Sequence, residues 1–397
     1  MTAYTGRTKY ILGEFGIGLT LVVAVLAAYF GCAARKWPNL DRGLGSPASR
    51  RCPVSAPTRF GHGSNAHTTC DNRLMRLHDY APRPAHLKWL LDSDPAIRWQ
   101  VMRDLTGEAP GAIAAERSRV ATEGWGAQLL ACQSPAGNWG GSPRGWRDDL
   151  PKDDRVLLIT LYTLVVLMDL GLDPASQQAR KMIDRVDKRL VFKRLNNRPF
   201  LQGETEPCIN GRILAIGAYF KEANDALANR LLGEQLEDGG WNCEAPQSRR
   251  ASFHTTICVL EGLLEYERAG RKSVAVTKAR KRAESYLLER RMFRSSGTGE
   301  VIDKRWLRFS FPAFWHYDVL RGLDYLRNAG IKPNSRVGDA IETVIERRHQ
   351  NGRWPLNLLH PEHIPLEMET GVGRASRWNT LRALRVLRWY NNSARSL

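Results

Sequence analysis

The reactive side chains that stand in telling places are few. The stretch SFHTTICVLEGLLEYE, Ser252 to Glu267, opens with His254 at the head of an apolar helical pattern. An imidazole there can act as a helix-start hydrogen bonder, a buried polar group or a metal ligand. Upstream, Glu206-Pro207-Cys208 sets a carboxylate and a thiol close together, although an isolated thiol is commonly just a small core residue. RFSFPAFWHYDVL, Arg308 to Leu320, gathers Phe309, Phe311, Trp315, His316 and Asp318. Aromatic side chains with one imidazole and one carboxylate can line an apolar cavity. His316 and Asp318 would then be the acid and base, with Phe309, Phe311 and Trp315 against a substrate; the competing reading is ordinary core at a helix end. ASRWNTLRALRVLRWY adds Arg377 and Trp378, a candidate anion contact and a candidate floor for the cavity. In LLHPEHIPLEMET, His360 and His363 stand near Glu367 and Glu369 without helical spacing, which reads as a solvated loop. Asp153 and Asp154 in LPKDDR read as a solvated helix start.

The elements that must position these groups are helices. From about Met75 onward, apolar residues recur at three- and four-residue steps and β-branched alternation is scarce. Three turns share a pattern: QSPAGNW (Gln133 to Trp139), QLEDGGW (Gln235 to Trp241) and HQNGRW (His349 to Trp354). A glycine helix stop followed by a packing tryptophan suits each. With weaker turns near Phe200 and Trp306, the period is about 50 residues, two helices per unit, as in stacked helical-hairpin arrays. If the array closes into a ring, the helix after each glycine turn lines the inside.

These turns and the helices after them resemble the repeats of squalene cyclases and protein prenyltransferase β-subunits, over roughly residues 85 to 392. The resemblance implies an all-α, α/α-toroid fold and a transferase or isomerase that acts on a hydrophobic, isoprenoid-type or lipid substrate, with a partner subunit. It also implies a zinc site. In the prenyltransferases the ligands are an acidic residue, a cysteine two positions later, and a histidine one repeat on, after a Gly-Gly turn. This sequence has Glu206-Pro207-Cys208, Gly239-Gly240-Trp241 and Phe253-His254-Thr255, leading to Leu260-Glu261-Gly262-Leu263. Carried over, Glu206, Cys208 and His254 hold Zn2+ and leave a fourth position for water or a substrate sulfur. Helix starts would favour the Cys208 thiolate, and Asn210 and Glu204 would orient the ligands.

The pattern also departs from those families. Glu206 replaces the usual aspartate, and PFLQGETEP lacks the positive charges that grip a diphosphate in the prenyltransferases. The Asp-x-Asp-Asp acid of the cyclases is missing, since LPKDDR has Pro151 where its first aspartate would stand. A second reading is therefore a toroid that has lost the chemistry and binds a lipid in its cavity or a protein on its rim. The Cys-Gly-Glu-Gln string of thioester proteins does not occur.

Composition bounds the rest. The formal charge of +18 comes largely from arginines scattered through helices, with no nucleic-acid motif, so no nucleic-acid partner is expected. Seven cysteines without a Cys-x-x-Cys pair argue against a disulfide scaffold, and a reducing compartment fits the region after Met75. Phe15 to Ala34 carries no charge and is long enough to span a bilayer. The expected layout is an N-terminal membrane anchor (1–34), a basic Pro/Gly/Ser-rich linker (35–84) and a cytoplasmic toroid (85–397), with Met75 as an alternative start.

Overall fold

Helices begin where the sequence supplies a start. In the computed structural model, which describes residues 82–140, 147–369 and 371–394, proline at the first helical position opens α1 (Pro84–Leu91), α2 (Pro95–Val101) and α3 (Pro110–Ser118). Its missing N–H is one that a helix start leaves unpaired anyway. Asp94 caps α2 by accepting from Ala96 N at 2.8 Å and ties it to α4 (Gly124–Ala131) by accepting from Trp125 N at 2.7 Å. Next come α5 (Lys152–Leu170) and α6 (Gln177–Arg189), then an antiparallel pair of two-residue strands, β1 (Val191–Phe192) and β2 (Arg198–Pro199). The remaining helices are α7 (Pro207–Phe220), α8 (Asp225–Gly233), α9 (Phe253–Arg268), α10 (Val274–Glu289), α11 (Val319–Asn328), α12 (Gly338–Glu346) and α13 (Arg377–Ala394). The expected anchor and most of the linker lie outside the described residues, among which no helix is long and apolar enough to cross a membrane.

Two kinds of helix alternate. α5, α7, α9 and α11 are buried around most of their circumference, whereas α6, α8 and α12 bury one stripe each, such as Met182, Ile183 and Val186 of α6. The first set is inner and the second outer. Inner α7 and α9 cross closely because Gly211 and Gly262 face each other; a Cβ on Gly262 would fall 2.3 Å from the Gly211 carbonyl oxygen.

The ring closes through α13. Its Arg385 donates to Gln100 of α2 at 2.9 Å and to Asp324 of α11 at 2.8 Å, and Arg388 donates to the Leu105 carbonyl at 2.7 Å. Arg377 donates to the Asp92 carbonyl at 3.0 Å, which ties the start of α13 to the end of α1. The architecture is an α/α toroid.

The three Gly-x-Trp turns are built alike. Each indole N–H donates to the carbonyl of the preceding outer helix: Trp139 to Leu129 at 2.6 Å, Trp241 to Leu231 at 2.7 Å and Trp354 to Val344 at 2.6 Å. Each tryptophan backbone N–H donates to a threonine of the following inner helix, Thr160, Thr256 or Thr380. Gln133 and Gln235 carry the turn to the next outer helix by donating to Met182 and Ala279 carbonyls. Gly239 has φ +96° with the Arg282 carbonyl 2.7 Å from where a Cβ would sit, so only glycine fits there. At the weaker turns, Phe200 stacks on Phe192, and Trp306 is buried with its indole N–H unpartnered.

Candidate active site

Because the hairpins run the same way round, the inner helices share one N-terminal end, and most of the candidate residues stand there. Glu206 and Cys208 start α7, His254 starts α9, and His316 precedes α11. Tyr162 of α5 lies among them. Burial raises its pKa well above the ordinary tyrosine value, with the charges of Glu362 and Cys208 adding to the shift.

His316 has a carboxylate partner that the sequence reading did not single out. Its Nε2 pairs with Glu362 Oε1 at 2.9 Å, and the Trp315 indole donates to the same oxygen at 2.6 Å. Glu362 Oε2 is buried with no hydrogen-bond partner. The His360 ring stacks on His316 with centroids 3.6 Å apart and planes 3° from parallel, and its Nε2 pairs with Ser310 Oγ at 2.9 Å. Burial, helped by neighbouring His316, lowers the His360 pKa to about 2. The segment is a loop, as expected, but His360 is not solvated: it packs back against His316. A signal was present, since His360-Pro361-Glu362 is an extended dipeptide step that turns residues i and i+2 to one side.

Asp318 does not join His316. It is 2 % exposed, caps α11 by accepting from Arg321 N at 2.7 Å, and lies 3.9 Å from Arg382. A helix cap consumes the carboxylate, so its place is structural. Burial still lifts its pKa to about 6.

His254 faces the same histidine group. Its Nδ1 accepts from Tyr317 N at 2.8 Å, and its ring meets Trp306, Trp315 and His316 edge-on. Burial, then His316, lowers its pKa to about 3. The atoms that do gather with Glu206 and Cys208 belong to Cys243: one donor atom from each of the three lies within 4.8 Å of the others, and Cys208 Sγ is 3.7 Å from Glu206 Oε2. The implied set of Glu206, Cys208 and His254 therefore does not converge, because His254 spends Nδ1 on a backbone N–H in the other group. Glu204 and Asn210 do orient this corner. Glu204 Oε1 accepts from Glu206 N at 2.6 Å, and Asn210 Oδ1 accepts from Glu204 N at 2.7 Å. The helix start does not dominate Cys208: its hydrogen bond to Cys243, then burial, push its pKa well up, while burial pushes Glu206 to about 9.

Behind the mouth, the axis is charged. Glu261 of α9 lies between Arg212, which it meets closely, and Arg321, which donates at 3.0 and 2.8 Å. Asp324 faces Arg385, Arg327 at 3.0 Å and Arg382 at 3.8 Å. All of these except Arg327 line a cavity of about 160 Å³ with Phe311, Phe314 and Trp378, below the roughly 300–1,000 Å³ of ordinary small-molecule sites. Phe314 takes a left-handed φ of 49°, held by Arg212 on its carbonyl and by Tyr162 against its ring.

Of the expected substrate contacts, Trp315 is at the mouth, whereas Phe311 and Trp378 stack on each other at 4.2 Å in the axial cavity. Phe309 is fully buried core. Arg377 is turned away to the α1 carbonyls of Trp89 and Asp92, where it staples the ring. Asp154, expected in solvent, is buried and paired with Arg194 at 3.0 Å.

No family model and no curated protein matches the sequence. Among solved structures, the chain is similar to the type II terpene cyclase MstE from Scytonema in complex with geranylgeranyl dihydroxybenzoate, at 15% identity and a TM-score of 0.36, over 82% of this chain and 99% of that one. The similarity to the same cyclase in its apo form is 14% with a TM-score of 0.35, over 83% and 100%. A protein from Actinoplanes gives 16% and 0.36, over 81% and 99%.

Proposed function

We propose that the toroid is an enzyme that moves a proton at its mouth, with His316 as the base and Glu362 as the carboxylate that orients it. The observation that supports this reading most is the pairing of His316 Nε2 with Glu362 at 2.9 Å. An Nε2–H held by a carboxylate leaves Nδ1 unprotonated and ready to take a proton. His360, stacked and neutral, adds no second positive charge to the developing imidazolium.

The ligand in this reading is hydrophobic and isoprenoid in type, and the reaction is a transfer or isomerisation. The likeness of the Gly-x-Trp turns and the His-Thr segment to squalene cyclases and prenyltransferases supports that class. Trp315 and the half-exposed Leu359 offer apolar surface beside the histidines. The ligand sits at the mouth, since the axial cavity is small and charged. An N-terminal anchor over residues 1–34 would tether the chain to a bilayer, a source of such a ligand.

A second reading, a non-catalytic lipid- or protein-binding toroid, is favoured by the paired charges on the axis, which leave no guanidinium pair free for a diphosphate. The test is incubation of the full chain with farnesyl and geranylgeranyl alcohols and diphosphates and with squalene, followed by mass spectrometry of products. Product that falls by about 10²–10⁴-fold in His316→Gln supports the enzyme. Ligand retained unchanged, equally by wild type and variant, supports the binding toroid.

A further inference from the structure

Cys208 and Cys243 come from different repeats, one at the start of α7 and the other in the loop after Trp241, yet their thiols and the Glu206 carboxylate share one small volume. Core packing alone does not account for this. Cys208 is buried while Cys243 and Glu206 are half-buried, and packing two thiols needs no carboxyl group between them. Every axial carboxylate described above has a guanidinium within ion-pair reach, but Glu206 has no ion-pair partner among the described residues. Its immediate neighbours are thiols, and the hydroxyl of Thr255 lies 3.3 Å from Cys243 Sγ.

We infer that Glu206, Cys208 and Cys243 bind a thiophilic divalent cation of the zinc type, with Cys243 rather than His254 as the third protein ligand. Tetrahedral zinc with bonds of about 2.0–2.3 Å puts its donors roughly 3.3–3.8 Å apart, and the Cys208 to Glu206 separation of 3.7 Å already meets that spacing. The backbone that carries the carboxylate is held: Glu204 accepts from the Glu206 N–H, and Asn210 accepts from the Glu204 N–H. Thr255 orients Cys243 from the next inner helix. Three ligands leave one coordination position open, so the ion could take up a water or a sulfur ligand. This site stands independently of the proton-transfer reading, since it uses none of the same side chains.

The experiment is elemental mass spectrometry of the full chain expressed with added zinc and purified without a metal-affinity tag. Wild type is compared with Cys208→Ser, Cys243→Ser and His254→Gln, with circular dichroism to confirm folding. The expected result is about one zinc per chain in wild type and in His254→Gln, and loss of zinc in both serine variants. Should a serine variant misfold, cobalt(II) titration of the metal-free wild type serves instead: intense tetrahedral visible bands with a thiolate charge-transfer band support the site. Metal-free, folded protein whose two thiols are free to alkylate would overturn the proposal. So would a Cys208–Cys243 disulfide in the intact mass, or zinc that survives Cys243→Ser but is lost from His254→Gln.

Discussion

Glu261 and Asp324 on the axis and Glu206 and Glu362 at the mouth are carboxylates wholly or partly withdrawn from water, in opposite company. The axial pair faces arginines, whose charge is fixed at every accessible pH. The mouth pair faces thiols, an imidazole and an indole, which are neutral or titratable. Asp324, held by Arg385 and Arg327 well below the ordinary carboxylate range against the push of burial, has its charge settled and serves as a strut between inner helices, whereas burial lifts Glu261 to about 7 in spite of its arginines. A carboxylate held by titratable donors can change its protonation or accept a metal, which is the character that the proposed proton transfer and the proposed metal site both need.

The largest effect that would break this comparison is on the axis. Asp324→Leu leaves Arg327, Arg382 and Arg385 facing one another without their shared anion, and should cost about 3–5 kcal/mol by denaturant titration. A loss under about 1 kcal/mol would mean the axial pairs behave like surface pairs.

Acidification should act on the mouth. His254 and His360 have folded pKa values near 3 and 2, below the unfolded value of about 6.5. Below 6.5 the unfolded chain therefore binds protons that the folded chain refuses, and stability falls as pH drops, by up to about 1.4 kcal/mol per pH unit for each histidine. Melting curves from pH 7 to 5 should show a smaller loss in His360→Asn than in wild type; equal slopes would place His360 in water. The raised carboxyl groups Asp318 and Asp169 pull the other way, which is why the difference between variants is the quantity to read.

The smallest expected effect on stability is Glu362→Gln, within about 1 kcal/mol, because shape is kept and no fixed cation is orphaned. Its signature is elsewhere: nitrogen chemical shifts of His316 should show loss of the single Nε2–H tautomer. An unchanged tautomer would show that Glu362 does not orient the ring.

Much of the fold was legible along the chain. The Gln, glycine and tryptophan of Gln235 to Trp241 specify a helix stop and a packing indole within seven consecutive residues, and the same device recurs at Trp139 and Trp354. The site was legible only in part. Glu206 and Cys208 were visible together because they flank one proline at a helix start. Asp318 was misleading because a cap and a catalytic acid look alike in sequence, and Glu362 passed unnoticed because its loop has no periodicity.

The sequence by itself determined the helical hairpins, their turns and the inward faces, since 3.6-residue periodicity and capping act over a few residues. Only the tertiary structure decided which groups meet. Cys243 rather than His254 joins Cys208, and His360 and Glu362 cover His316. These contacts join loops and helix starts far apart in the chain, and no local stretch of sequence encodes how such segments are brought together.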